Sequence, residues 1–413
     1  MKKELKKPFP LAFKPDLDET NRRWQAYYEG DIIDRPVVCV TAPKKGYEKV
    51  RRDPSTYQDR VFGDMDEIID RMLESAEATY YGGEAVPAAY LSFGPDEIAA
   101  FCGAELCWSD DSPETNWSKP FVEQWEEVFP LLLQEDNPLW QRMLAFYSRS
   151  SEKMAGKMLL SSLDLHTNMD LLAAIRGPQR LCMDLIDQPE MIDRAMMDAR
   201  TLFAKIWEAI SKAGRMDEYG YCHGMYSMEG AAILQCDFSC MISPEMFRRW
   251  VLPALEEEAE IVKHAIYHWD GPGALVHTKD LLASKGLHTL SYVPGAGRGS
   301  HIDYIHLFKQ VQEGGKAVQV LGTPDEIKAI HRELKPNLVM YGTSTATQIG
   351  SRSASGMVCE KHLICDSTQK KEIILTMAGL FLFIFGGLIP FSCICHSPYG
   401  IIESEHRIIY AWV

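Results

Sequence analysis

YGYCHGMYSMEGAAILQCDFSCMISPEMFRRWVLPALEEEAEIVKHAIYHW, residues 219–269, contains one full repeat of the pattern that decides the fold. It opens on a short apolar stretch, Tyr219–Met225, that reads as a strand. Further on, Ser243-Pro244-Glu245 sets a capping serine before a first-turn proline and an acidic residue, which opens a helix at Met246. The run closes on Ala265–Trp269, apolar and bounded by polar residues, a second strand. A strand, a capped helix and a strand are the elements of a parallel crossover.

The same alternation continues in both directions. The other candidate strands are Pro36–Val40, Val86–Leu91, Met158–Leu163, His288–Val293, Ala317–Leu321 and Leu338–Tyr341. Between them, Asp64–Tyr80 carries Met65, Ile68, Ile69, Met72 and Leu73 at helical spacing, and Thr323-Pro324-Asp325-Glu326 repeats the helix-start signal. Met191, Met196, Met197, Phe203 and Trp207 read as the packing face of another helix. Strand followed by helix, about eight times, predicts an α/β chain folded as a (β/α)8 TIM-type barrel with an N-terminal helical extension. A doubly wound open sheet is the alternative, because periodicity does not count closure. Either architecture places chemistry at the C-terminal ends of the strands.

The net charge of −15 excludes a nucleic-acid backbone or an anionic membrane surface as the main partner. Cys39, Cys102, Cys107, Cys182, Cys222, Cys236 and Cys240 form no CxxC pair and read as reduced thiols. The start, MKKELKKPFPLAFKPDLDET, has no apolar core of signal-peptide length, so a cytoplasmic location is expected. Near Gln348 the pattern breaks. Residues 1–348 are expected to form the barrel domain and 349–413 an unrelated apolar tail. No Asp, Glu, Lys or Arg stands between Glu372 and Glu403, and Ile373–Ile389 has about the length of a short membrane span. The tail reads first as a foreign translated segment or a buried apolar helix, and second as a membrane anchor.

Four segments, in order, carry a resemblance. They are DRPVVCV (Asp34–Val40) after the aromatic helix RRWQAYYEG, IRGPQRLCMDLIDQPEMIDR (Ile175–Arg194), DFSCMISPEMFRRWVLPAL (Asp237–Leu255) and HWDGPGALVH (His268–His277). Together they resemble the uroporphyrinogen decarboxylase and cobalamin-dependent (corrinoid) methyltransferase superfamily over about residues 15–348. The third segment matches that family's Ser-Pro-x-x-Phe and Leu-Pro pattern. The chain departs from the family at three points. No arginine-rich substrate loop stands at the start, where Arg22 and Arg23 precede a Trp. The methyltransferases' His-x-Cys-Gly zinc motif appears as His268-Trp269-Asp270-Gly271, and the family's late Cys falls among the hydroxyl side chains of Tyr341–Thr345.

These residues define the candidate site. His268 and Asp270, two apart just beyond a strand, project to one side and offer nitrogen and oxygen donors to a metal, with zinc the ion the resemblance implies. A hydrogen-bonded pair without metal is the plainer reading. His223 and Glu229, in GYCHGMYSMEG at another strand end, are read as completing a metal site or acting in acid–base transfer, with a polar loop lining the barrel mouth as the plainer reading. Asp164 and His166 follow the apolar run before them in the same geometry, and Asp237 opens the DFS stretch. Asp164, His223 and Asp237 are the catalytic candidates; His166, Glu229 and Tyr341 are the substrate-binding ones. The glycines of Pro294–Gly299 lack the spacing of a phosphate-binding signature and read as a tight loop.

The resemblance implies metal-assisted methyl transfer between a separate corrinoid protein and a small nucleophile, in a homodimer. The alternative is decarboxylation of a uroporphyrinogen-like or other small acid without a cofactor, with Asp164 or Asp237 on the ring nitrogen. A barrel kept for binding alone is the third reading.

Overall fold

The computed structural model describes residues 6–50, 55–109 and 115–346. The tail and its apolar segment 373–389 lie outside the described residues. Among the described residues no helix is long and apolar enough to cross a membrane, and all seven cysteines are free.

The strands in chain order are β1 (Val37–Pro43), β2 (Thr79–Gly83), β3 (Ala88–Ala89), β4 (Glu105–Cys107), β5 (Trp117–Lys119), β6 (Leu159–Leu160), β7 (Tyr221–His223), β8 (Met225–Ser227), β9 (Ala231–Gln235), β10 (His264–Asp270), β11 (Leu287–Val293), β12 (Ala317–Leu321) and β13 (Val339–Ser344). Seven form the central sheet in the order β2-β1-β13-β12-β11-β10-β9. All its neighbours are parallel except β1 and β2. Beside this sheet, β3 and β6 make a short parallel ladder of their own.

The predicted ring is therefore corrected: the mostly parallel sheet is compatible with a TIM-type barrel, but among the described residues the ladder does not close. Two local features account for this. The free edge of β1 is taken by β2, which runs back antiparallel from Thr79 opposite Pro43 to Gly83 opposite Cys39. In addition, Pro87, just before β3, has no N–H to give a ladder.

The segment Tyr219–Met225 is corrected as well. Gly224, at φ +71°, reverses the chain in mid-segment, so β7 and β8 form an antiparallel hairpin. A Cβ at Gly224 would stand 3.0–3.2 Å from the side chains of Ile266 and Ile233, which would have to give way. The strand that pairs with β10 is β9, whose apolar run AAILQ was not recognised as a strand.

The helix signals describe real caps. The Asp64 carboxylate accepts from Asp66 and Glu67 N–H and opens Met65–Ala78. Thr323 and Glu326 cap each other reciprocally at Pro324–His331. The Ser243 hydroxyl accepts from Met246 N–H. The helix it opens widens to a π turn at Phe247–Val251 before continuing as Leu252–Val262. Pro253 cannot donate to the carbonyl four residues back, which is the local reason for the wider turn. The long outer helix Pro189–Ala213 buries Met196, Phe203 and Trp207. Met197, also expected in the packing face, is 62% exposed instead.

At the entry end of the sheet, where the strands begin, the aromatic helix Leu17–Tyr28 acts as a stopper. Trp24 is 1% exposed and donates to the Glu84 carbonyl at 3.2 Å. The Tyr27 hydroxyl bonds Thr289 at 2.8 Å, and the Tyr28 hydroxyl donates to the Tyr226 carbonyl at 2.6 Å. The buried Arg35–Glu84 ion pair ties this end to β1.

Candidate functional site

The site lies at the exit end of the strands. In the parallel register His268 stands level with Gln235 of β9 and Ser291 of β11. The three side chains therefore share one face of the sheet, and Asp270 projects from the same face one pleat higher. The run that follows β6 carries Asp164 and His166 and then enters the helix Asn168–Arg176.

A chain of polar contacts joins these segments. The Nε2 of His166 lies 3.3 Å from Asp164 Oδ2, and its Nδ1 lies 3.4 Å from Asp170 Oδ2, one helical turn on. The Gln235 amide donates to Asp164 Oδ1 and also meets His166 Nε2. Asp170 is itself anchored, accepting backbone N–H bonds from Asp237 at 2.9 Å and Phe238 at 2.8 Å. It thereby holds the first turn of the 3-10 segment Asp237–Met241. Behind this chain, Asn168 adopts a left-handed φ of +57°. Its amide then reaches the Gln235 carbonyl at 3.2 Å and Glu258 at 3.3 Å.

The electrostatics divide the carboxylates into two kinds. Burial works against the charge on Asp164, but the charge and hydrogen bond of His166 outweigh it and hold the carboxyl below its ordinary range. Burial also opposes protonation of His166, yet Asp164 and Asp170 together raise it well above an ordinary histidine. Asp164–His166–Asp170 is thus a carboxylate–imidazolium–carboxylate row. Asp237 is pushed up to about 6 by burial and by the charge of Asp170. Asp270 is pushed up to about 6 by the same two causes. Burial lowers His223 to about 4 against the pull of Asp164, so its ring is neutral. That ring stacks on Tyr90 with centroids 5.7 Å apart.

The structure gathers six of the expected residues at this end: Asp164, His166, His223, Asp237, His268 and Asp270. Glu229 and Tyr341 lie elsewhere. The reversal at Gly224 sends residues 225–229 back toward the entry end, so Glu229 is an exposed residue just before β9 begins. Tyr341 is fully buried, and its hydroxyl bonds His331 Nδ1 at 3.1 Å on the helix Pro324–His331. Strand alternation explains this placement. Ser291 donates to Gln319 at 2.7 Å, and Gln319 meets Met340, which puts Met340 on the site's face and Tyr341 on the other.

Sequence reading missed Gln235, Asp170, Tyr90 and Glu97. Gln235 would have been found by treating AAILQ as a strand and looking at its end. Asp170 had a signal too, since it stands four residues after His166 at the start of a helix. Glu97 is fully buried and pushed up to about 8, by burial first and by the charge of Asp164 among the rest. No local pattern announces it.

The donor set for zinc is incomplete. The side chains of His268 and Asp270 make no hydrogen bond or ion pair with the described residues. Among the described residues, however, no group of three or more His, Cys, Asp or Glu is arranged to hold an ion. Two donors alone do not make a protein-held zinc site. The cysteines do not offer a nucleophile either. Burial of the sulfur, with the charges of Asp237 and Asp270, raises the Cys240 thiol, while burial raises Cys222 to about 12 and Cys236 well above its ordinary value.

No protein-family model and no curated protein sequence matches the chain. In three dimensions it is similar to a methyltransferase from Methanosarcina mazei, with a TM-score of 0.54 and 14% sequence identity, over 83% of this chain and 98% of that one. At that identity the likeness is one of fold: an α/β architecture built around a mostly parallel sheet.

Proposed function

We propose that the chain is a methyltransferase that moves a methyl group to a small nucleophile bound at the exit end of the sheet. The observation that carries the reading is the Asp164–His166–Asp170 row set beside Asp237 and Asp270. Methyl transfer forms one bond to carbon as another breaks, so the protein must fix two reactants in line and manage one proton. The row is suited to fixing. Its charges are paired, its imidazole is held from both ring nitrogens, and its geometry is anchored on two backbone N–H groups. Asp237 and Asp270 are suited to the proton, because a carboxyl near 6 accepts and releases it close to neutrality. The nucleophile comes from the substrate, since the nearby thiols are raised rather than activated.

The methyl carrier in this proposal is a corrinoid held by a separate protein, as the sequence resemblance implies. The fold likeness to a methyltransferase supports methyl transfer in general and does not bear on the carrier. Decarboxylation of a multiply carboxylated substrate suits the site less well. Among the described residues no Lys or Arg forms an ion pair with Asp164, Asp170, Asp237 or Asp270, and a cluster of carboxylates repels the acid groups of such a substrate.

The test is turnover of methylcobalamin by the full chain in the presence of small thiols and amines, followed by its visible spectrum. The reading expects demethylation that Asp164→Asn slows by at least about a hundredfold. A folded wild-type protein that demethylates nothing across the panel would sink it.

A further inference from the structure

From the bonding state of this site we infer that the methyl acceptor is a small amine, which enters as its ammonium ion and is held by Asp237 and Asp270 against the Tyr90–His223 face. The acceptor role rests on the methyl-transfer reading; the binding does not.

Part of the site is already satisfied. Asp164, His166, Asp170 and Gln235 use one another. What remains is a set of acceptors. Asp237 Oδ1 is buried and has no hydrogen-bond partner, and the carboxylate of Asp270 has no donor among the described residues. Glu97, fully buried and within electrostatic reach of Asp164 and Tyr90, also leaves Oε1 without a partner, but a carboxyl raised to about 8 carries its own proton near neutrality and does not belong to this set. Buried acceptors without donors are costly unless something else supplies the hydrogens. The missing complement is thus a donor, and a positively charged one. Asp164, Asp170, Asp237 and Asp270 stand around the His166 imidazolium, and among the described residues no Lys or Arg side chain is ion-paired to any of them. A neutral alcohol would supply one hydrogen and leave the charge uncompensated. An anion would add to the repulsion.

The walls fit the same ligand. Tyr90 and the neutral ring of His223 lie stacked near Asp164, and an aromatic face beside carboxylates attracts an ammonium group. The chemistry balances. The bound ammonium gives one proton to the Asp237 carboxylate and becomes an amine. With a methyl donor of the corrinoid class bound alongside, the amine lone pair would form the N–C bond as the donor's bond to the methyl carbon breaks, that electron pair leaving with the donor. The product leaves as a methylammonium ion that the same carboxylates can hold.

Isothermal titration of the full chain with three probes of one size, n-propylammonium, n-propanol and propionate, tests the inference. The expected order is ammonium first, at least about tenfold tighter than the alcohol, with propionate weakest. Asp237→Asn and Asp270→Asn should each weaken the ammonium about fivefold or more, with little change for the alcohol. Equal binding of ammonium and alcohol, or variants that bind the ammonium as wild type does, would overturn it. So would magnesium or zinc occupying the site with no competition from the ammonium. If the ammonium binds as expected and methylcobalamin is never demethylated, the methyl-transfer reading fails and the binding site stands. Methyl transfer to a thiol, with no ammonium binding, leaves that reading intact and removes this inference.

Discussion

Strand β10 carries a histidine near each end, His264 and His268, four residues apart and on the same face. Their surroundings differ in kind. His264 lies flat against Tyr28, ring centroids 3.6 Å apart and planes within 9°. Its neighbour His288, at the start of β11, is lowered to about 4, by burial first and the charge of His264 second. The stopper helix covers both. The side chain of His268 has no such cover and no hydrogen bond among the described residues. Its neighbours are Gln235, Asp164 and Asp237. One strand thus presents the same side chain to an aromatic seal at one end and to a row of carboxylates at the other. Residue type alone does not assign a role; the element that covers it does.

Substitution can break this contrast, and the largest effect belongs to the sealed end. Trp24→Ala removes a fully buried ring and the hydrogen bond to the Glu84 carbonyl. It should cost about 3–5 kcal/mol in urea unfolding, while the folded fraction binds n-propylammonium as wild type does. A normal midpoint would mean that the helix is not a seal. At the open end, Asp170→Asn keeps shape but weakens the hold on His166 and on the two N–H groups of the Asp237 turn. The expected loss is about 2 kcal/mol of stability. It should be accompanied by a fall in methylcobalamin turnover larger than that stability loss explains. If turnover simply tracks the folded fraction, Asp170 supports the fold alone.

Sequence reasoning was informative where local chemistry decides the outcome. The caps at Ser243 and Thr323 depend on three or four consecutive residues, and they stand where the pattern put them. The candidate site was legible for a related reason. The strand-end rule selects Asp164, His166, His268 and Asp270 without knowledge of the neighbours. It failed where a single backbone angle redirects the chain. Gly224 turns one expected strand into a hairpin, which moves Glu229 to the other end and hands the ladder to β9. Ring closure was equally out of reach, because it depends on which partner takes the edge of β1. That is a competition between distant segments which no local pattern records.

A smaller effect separates the buried acids from the paired ones. Glu97 and Glu258 are each raised from 4.5 to about 8, chiefly by burial. A carboxyl that binds its proton more tightly when folded favours the fold at low pH. That contribution is complete below the unfolded value of 4.5 and is lost as pH climbs to about 8. The wild-type melting temperature should therefore fall progressively between pH 5 and 8. Glu97→Gln should flatten part of that slope while leaving the value at pH 5 nearly unchanged, since an amide oxygen can still accept from Phe93 N–H. A slope identical to wild type would show that Glu97 ionises freely.

The smallest expected effect tests strand parity. Tyr341 was read from sequence as a substrate contact, and β13 instead turns it toward His331 on the outer helix. Tyr341→Phe removes one hydroxyl from a buried, one-partner hydrogen bond and nothing from the site's face. The cost should be about 1 kcal/mol in urea unfolding, with methylcobalamin turnover and n-propylammonium affinity unchanged. Met340, its neighbour, lies on the opposite face beside Gln319. Met340→Ala should disturb ligand affinity more than Tyr341→Phe does, although both residues are equally hidden from solvent. If the tyrosine variant is the one that loses ligand, the assignment of the two faces of β13 is reversed. The row Gln235–His268–Ser291 would then point away from the substrate as well.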